Sequence, residues 1–260
     1  LQAFQDELHK QGYTLLVASS SYDPKIEEEQ IRTLVSRGVD GLLLIGHDRS
    51  TEIVDFLEHK NIPALVAWAL DPSARLPSVG FDNFLAMSKL ARLVLKFGHK
   101  RIGMISAWTK ANDRARERVN AVQYTMSEAG IDLDEFILIE TDYGIETGKI
   151  AFDEIMKQRQ PPTVVICGND VLAAGALKQA KMLGISVPED VSVTGFDDIE
   201  LATTLTPELT TVHVPHREMG MKAAKLLIEM LENNSINYKI KLNIYLQTRL
   251  SLRNLISNGK

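Results

Sequence analysis

The residues best suited to holding a ligand fall just past a series of short apolar runs. They are Ser20 and Tyr22, His47 and Asp48, Asp71, Asp82 and Asn83, Trp108 and Thr109, Asp142 and Tyr143, Asn169 and Asp170, and Asp197 and Asp198. The set mixes hydroxyls, carboxylates, amides and aromatic rings. Such a mixture suits a neutral polyhydroxylated ligand, with rings against its apolar face and fixed polar groups on its hydroxyls. Part of the set has a plainer use: Asp23 and Asp170 read as helix caps, and Asn169 and Asp197 are of the types that organise turns.

Signatures of catalysis do not accompany these residues. The segment 144–150 (GIETGKI) has three residues between its glycines where a P-loop has four, and Ile150 stands where a Ser or Thr would hold magnesium. No G-x-G-x-x-G follows an apolar run, and there is no G-x-S-x-G elbow. Of the six histidines only His213 and His216 are close, and Pro215 between them breaks a helical metal face. Cys167, the only cysteine, ends an apolar run and reads as a small buried hydrophobe rather than a nucleophile; alone, it forms no internal disulfide. Glu27, Glu28 and Glu29 read as a solvated helix face. The expectation is a binding protein with no cofactor and no metal.

The elements that must position these residues alternate regularly. Strand-like runs occupy 14–19 (TLLVAS), 42–45, 64–69, 101–106, 136–140, 163–167 and 191–196. Helical patterns lie between them. One starts at Asp23-Pro24, a cap followed by proline at the first helical position, and stops at Gly38. Others span 52–60, 84–97, 115–129, 146–158, 171–183 and 217–231, with Gly98, Gly130 and Gly184 as stops. The runs are nearly continuous in apolar residues, as expected of parallel strands covered by helices on both faces, so the order predicts a doubly wound α/β architecture. A last strand is expected within 239–250 (KIKLNIYLQTRL).

Length and composition bound the function. At about 150 residues per domain, 260 residues make two lobes or one large domain. The 45% hydrophobic and 24% charged content excludes wholesale disorder. The longest apolar run, 64–70, falls far short of the ~20 residues of a membrane helix. A formal charge of -5 argues against these residues gripping nucleic acid through its phosphates. Residues 1–13 read as the interior of an amphipathic helix, so the chain is expected to be a fragment of something longer.

Residues 167–220 (CGNDVLAAGALKQAKMLGISVPEDVSVTGFDDIELATTLTPELTTVHVPHREMG) closely resemble the effector-binding core of LacI-family transcriptional regulators. Residues 38–46 (GVDGLLLIG) and 81–105 (FDNFLAMSKLARLVLKFGHKRIGMI) agree. The resemblance implies two doubly wound parallel-sheet lobes of the periplasmic-binding-protein-like type I fold, joined by three crossovers, with the effector in the cleft. One lobe would take 1–100 plus 213–237, the other 101–212 plus 238–260. Carried over singly, Arg118 matches the arginine of an R-x-x-G segment, with Ala121 in place of the glycine, and its planar fork would donate to ligand oxygens. Tyr143 would stack on the ligand. Asn169 of GND and Asp197 of GFDD would supply polar contacts, and Asp82 and Asn83 of FDN would lie near the cleft.

The resemblance further implies a cytoplasmic, homodimeric, repressor-type regulator with no membrane partner and no enzyme activity. Its effector would be a carbohydrate, with a nucleobase as the alternative. It would meet operator DNA through an N-terminal region absent from this chain. The first strand of the fold would also be absent, splitting a sheet in which that strand is internal. Arg118→Ala and Asp197→Ala are expected to abolish the effector response and leave the fold intact. The rival readings are an extracytoplasmic sugar-binding protein feeding a transporter and, more distantly, an enzyme on the same architecture.

Overall fold

A cap or a stop residue sits where most helices begin or end. The Asp23 carboxylate accepts from the backbone N–H groups of Lys25 and Ile26, and Pro24 opens the helix behind it. Gly184 ends another in the left-handed conformation, φ 70°. The computed structural model describes residues 1–232, 243–245 and 249–251. In chain order the elements are α1 (Gln2–Lys10), α2 (Pro24–Ser36), β1 (Leu42–Ile45), α3 (Thr51–His59), β2 (Ala64–Ala67), β3 (Ser78–Gly80) and α4 (Asn83–Lys96). There follow β4 (Ile102–Ala107), α5 (Asp113–Glu128), β5 (Phe136–Thr141), α6 (Ile145–Met156), β6 (Val164–Cys167), α7 (Asp170–Leu183) and β7 (Ser192–Thr194). The last are α8 (Leu201–Thr204), β8 (Thr211–His213), α9 (His216–Glu232), β9 (Asn243–Tyr245) and β10 (Arg249–Ser251).

The chain folds into two compact units. The first takes Leu1–Asp82, Ala111–Arg114 and the described residues from Pro215 through β9. Its sheet runs β1-β2-β3-β9, all parallel, and Ile31, Leu42, Leu44, Ile53, Leu57 and Val66 pack into one core. The second unit takes Asn83–Lys110, Ala115–Val214 and β10. Its sheet runs β5-β4-β6-β7, again all parallel, and β8 pairs antiparallel with β10. In both sheets a central strand, β2 (ALVA) and β6 (VVIC), is buried at every residue, as strands with helices on both faces must be.

Two expectations from the sequence are corrected here. Residues 14–19 form no strand: β1 is the edge of its sheet and pairs only with β2. A groove of about 820 Å³ separates 14–19 from β1, with Leu16, Val17 and Ile45 exposed. A strand is defined by its ladder, and propensity without a neighbouring edge produces only an extended segment. The run 239–250 is not one strand either; it supplies β9 to the first sheet and opens β10 in the second unit, while 239–242 and 246–248 lie outside the described residues. The short elements β3, α8 and β8 carried too few residues to show a period.

Helices α6 and α7 approach closely because each offers a glycine to the other. A Cβ on Gly148 would stand 3.0 Å from the Leu172 Cα, and one on Gly175 2.8 Å from the Lys149 backbone nitrogen. Packing therefore explains the second glycine of the segment 144–150. Gly175→Ala is expected to destabilise the protein by about 2 kcal/mol through forced separation of the pair. Urea denaturation checks this as a lower midpoint at unchanged slope.

Candidate functional site

Four residues of α5 at helical spacing, Ala115, Arg118, Val122 and Thr125, are all buried, so Arg118 is carried on the inward stripe of its helix. Only 4% of it is exposed. A guanidinium in that position must find acceptors. Its Nε donates to the Asn83 Oδ1 at 2.9 Å and its Nη1 to the Gly168 carbonyl at 2.7 Å. Its Cζ lies 3.7 Å from the centre of the Phe196 ring, in cation–π contact. The fork thus joins the first residue of α4, the turn after β6 and the segment just past β7. Ala121, at the position of the expected glycine, is fully buried on the same helix.

Asn169 and Asp197 each follow in sequence a residue that Arg118 touches. Asn169 caps α7, its Oδ1 accepting the Leu172 N–H at 2.9 Å. Asp197 is half-buried, and its backbone runs beside β8: its N–H donates to the Val212 carbonyl, and its carbonyl accepts the Val214 N–H. Asp197 has φ 113° and Asp198 φ 54°, a pair of residues held where side chains other than glycine are strained. The Asp198 Oδ2 lies 2.9 Å from the His213 Nδ1.

The other expected site residues stand elsewhere. Tyr143 follows β5, which the strand order separates from β6 by β4, and it packs against the apolar core of its unit. Beside it the Asp142 carboxylate accepts from the Trp108 indole N–H at 3.0 Å, on a tryptophan that is 52% exposed. Asp82 is half-buried and belongs to the first unit. In that unit a further polar group forms around Asp113. It accepts from the His47 backbone N–H at 2.7 Å and pairs with the Arg114 guanidinium at 2.7 Å. Gly46 leaves the space, since a Cβ there would stand 2.9 Å from the Arg114 Cζ. Burial holds the His47 imidazole below its ordinary range, against the pull of the Asp113 and Asp71 carboxylates.

Asp170 is the residue that sequence reasoning placed wrongly. It is not a cap, because Asn169 already fills that role; it is the first residue of α7 and is fully buried. Its Oδ1 accepts from the Thr211 hydroxyl at 2.6 Å and its Oδ2 from the Ile199 N–H at 2.9 Å. An acidic residue directly after an asparagine cap was the available signal, since one cap suffices. Burial pushes its carboxyl up to about 7, and the charges of Asp197 and Asp198 add to that push against the two hydrogen bonds. Burial likewise raises the Cys167 thiol, consistent with an inert side chain. Among the described residues no group of three or more His, Cys, Asp or Glu is placed to hold a metal ion, and no helix is long and apolar enough to cross a membrane.

Residues 91–253 match the periplasmic binding protein-like domain family. The chain is 34% identical over 230 residues to the HTH-type transcriptional repressor CytR of Escherichia coli K12, covering 86% of this chain and 66% of that protein. It is 33% identical over 236 residues to the HTH-type transcriptional repressor PurR of Vibrio cholerae (strain M66-2), covering 89% and 69%. The chain therefore spans about two thirds of the length of these relatives. Among solved structures, a LacI family transcriptional regulator from Enterococcus faecium with bound ribose superposes at a TM-score of 0.86, with 25% identity and coverage of 100% and 93%. The transcription regulator GntR from Chromobacterium violaceum superposes at 0.87, with 28% identity and coverage of 99% and 93%.

Two measurements test this geometry. The expectation that Arg118→Ala spares the fold gives way: it leaves the Asn83 and Gly168 oxygens without their charged donor and is expected to cost about 3 kcal/mol. Arg118→Lys recovers only part, having no fork. Denaturant midpoints of the two variants decide it. Second, Asp170 has an ordinary value of 3.8 when unfolded and about 7 when folded. Between those values the native state holds the extra proton, so this residue makes stability fall as pH rises from about 4 to about 7. Asp170→Asn is expected to flatten that part of the profile, read as melting temperature against pH.

Proposed function

The chain belongs to the periplasmic-binding-protein-like family, in the branch of the LacI-type transcriptional regulators, and from that premise we propose that it is the effector-binding core of a ligand-responsive repressor. The effector in this reading is a carbohydrate, held at the carboxyl ends of the second unit's strands by Arg118, Asn83, Asn169 and Asp197, with Tyr143 offering a ring. The carrying observation is the buried Arg118 fork. Two of its five N–H donors hold protein oxygens, and in this reading the other donors of the rigid, charged fork meet ligand oxygens.

Three further observations support the reading. The Enterococcus faecium regulator, which matches over the whole of this chain, holds ribose. The relatives CytR and PurR are repressors. Residue types at the strand ends are those that meet hydroxyls. DNA contact falls to another part of the longer protein, because these residues carry a net charge of -5. The protein works in the cytoplasm as a homodimer, whose symmetry matches two operator half-sites.

A thermal-shift screen of pentoses, hexoses and nucleobases tests the proposal. An effector at about 100 times its dissociation constant stabilises by roughly 2.7 kcal/mol, several degrees for a protein of this size. Asp197→Ala is expected to remove that shift. An undiminished shift in this variant sinks the site, and a nucleobase hit replaces the carbohydrate. Sedimentation of the full-length protein as a monomer instead supports an extracytoplasmic sugar-binding protein.

A further inference from the structure

We propose that Asp170 is a positioning residue, a buried clamp that fixes the Asp197–Asp198 turn in the conformation that presents Asp197 to the effector. The claim that Asp197 meets an effector rests on the function proposed above; the clamp itself does not.

The turn begins at Phe196, two residues past β7, and ends at Ile199, and Asp170 holds it at both of these points. The Asp170 backbone N–H donates to the Phe196 carbonyl at 2.9 Å, and its Oδ2 accepts the Ile199 N–H at 2.9 Å. Between those two anchors lie the two residues with positive φ. Positive φ strains an aspartate, and bonds from the surrounding structure offset that strain. The carboxylate is itself fixed from a third direction by the Thr211 hydroxyl on β8, at 2.6 Å. Gly195 makes the close approach possible, since a Cβ there would stand 3.3 Å from the Asp170 Cγ and closer still to its Oδ1.

The arrangement gives Asp170 a task distinct from filling space. A fully buried carboxylate costs more than an apolar residue of similar size, and stability alone would not favour it here. What it supplies is two acceptors on one rigid stem at the start of α7, aimed at two different chain segments. The groups facing it are Asp197 and Asp198 from the turn, Thr211 from β8 and, in the next turn of contacts, His213 paired with Asp198 and the Cys167 thiol of β6. Asparagine in its place keeps both bonds: its Oδ1 accepts from Ile199, and its Nδ2 donates to the Thr211 oxygen. Alanine keeps neither.

Hydrogen exchange on the full-length protein tests the clamp without any ligand. In Asp170→Ala the Ile199 amide is expected to exchange at least tenfold faster than in the unaltered protein, with protection in β4 and β6 retained; in Asp170→Asn it stays within threefold. Ile199 protection unchanged in folded Asp170→Ala overturns the proposal. Should that variant not fold, Thr211→Val removes one anchor of the carboxylate, and unaltered Ile199 protection there overturns it equally. Calorimetry with D-ribose then separates the two readings. Where ribose binds, Asp170→Ala is expected to weaken it at least tenfold and Asp170→Asn to restore it to within threefold; equal affinity in the alanine variant counts against positioning. Failure of ribose to bind the unaltered protein counts against the carbohydrate reading, and the exchange result still decides the clamp.

Discussion

One buried cation sets the terms for the second unit. Withdrawing a guanidinium from water is costly unless its donors are met and its charge is answered, and among the described residues Arg118 is hydrogen-bonded to no carboxylate that would answer it. It is satisfied instead by an amide oxygen, a peptide carbonyl and the face of a phenyl ring. These come from the start of α4, the turn after β6 and the segment just past β7, three places far apart in sequence. None of the three can shift without stranding the charge. The sheet order brings β6 and β7 side by side, and the cation then fixes how the loops at their carboxyl ends are disposed. That is the edge of a parallel sheet where ligands bind in folds of this kind.

The loops around Arg118 are themselves tightly determined. Asn169 spends its oxygen on the α7 N-terminus, Asp170 reaches back to the turn beyond β7, and Asp197 is tied to β8 through its backbone on both sides. The consequence is a division of labour among adjacent acids and amides, in which backbone groups and buried oxygens hold the shape of the loops. A site whose polar groups are fixed before the ligand arrives loses less freedom on binding, and this is how weak contacts to hydroxyls add up to usable affinity.

Much of this was legible in the residues, for identifiable reasons. Parallel strands covered on both faces leave continuous apolar runs, so β1, β2, β4, β5 and β6 could be read almost to the residue. The cap at Asp23 and the stop at Gly184 follow from local chemistry alone. What escaped needed tertiary information. Residues 14–19 have the composition of a strand, but a strand requires an edge to pair with, and composition does not report its neighbours. Asp170 looked like one more cap because its partners, Ile199 and Thr211, lie 29 and 41 residues away. Tyr143 has the type of a stacking residue, and only the strand order shows that it stands two strands from the Arg118 cluster, against the core. Phe196 gave no sign of its role, since a phenylalanine at a strand end is ordinary core until a guanidinium is found over its ring.

The rigidity of this cluster constrains how a ligand signal would leave it. A ligand shifts an equilibrium only by the difference in its affinity for two states, and couplings between sites are typically 1–3 kcal/mol. The turn after β7 is tied to Asp170 and to β8 by hydrogen bonds, so its own deformation costs those bonds and is a poor carrier of that difference. In the proposed reading the effector distinguishes two states of the protein through contacts that one state offers and the other does not. In the proposed reading, discrimination between ligands falls to residues less tightly held by the fold than Arg118 and Asp170, which are both buried and hydrogen-bonded on more than one side.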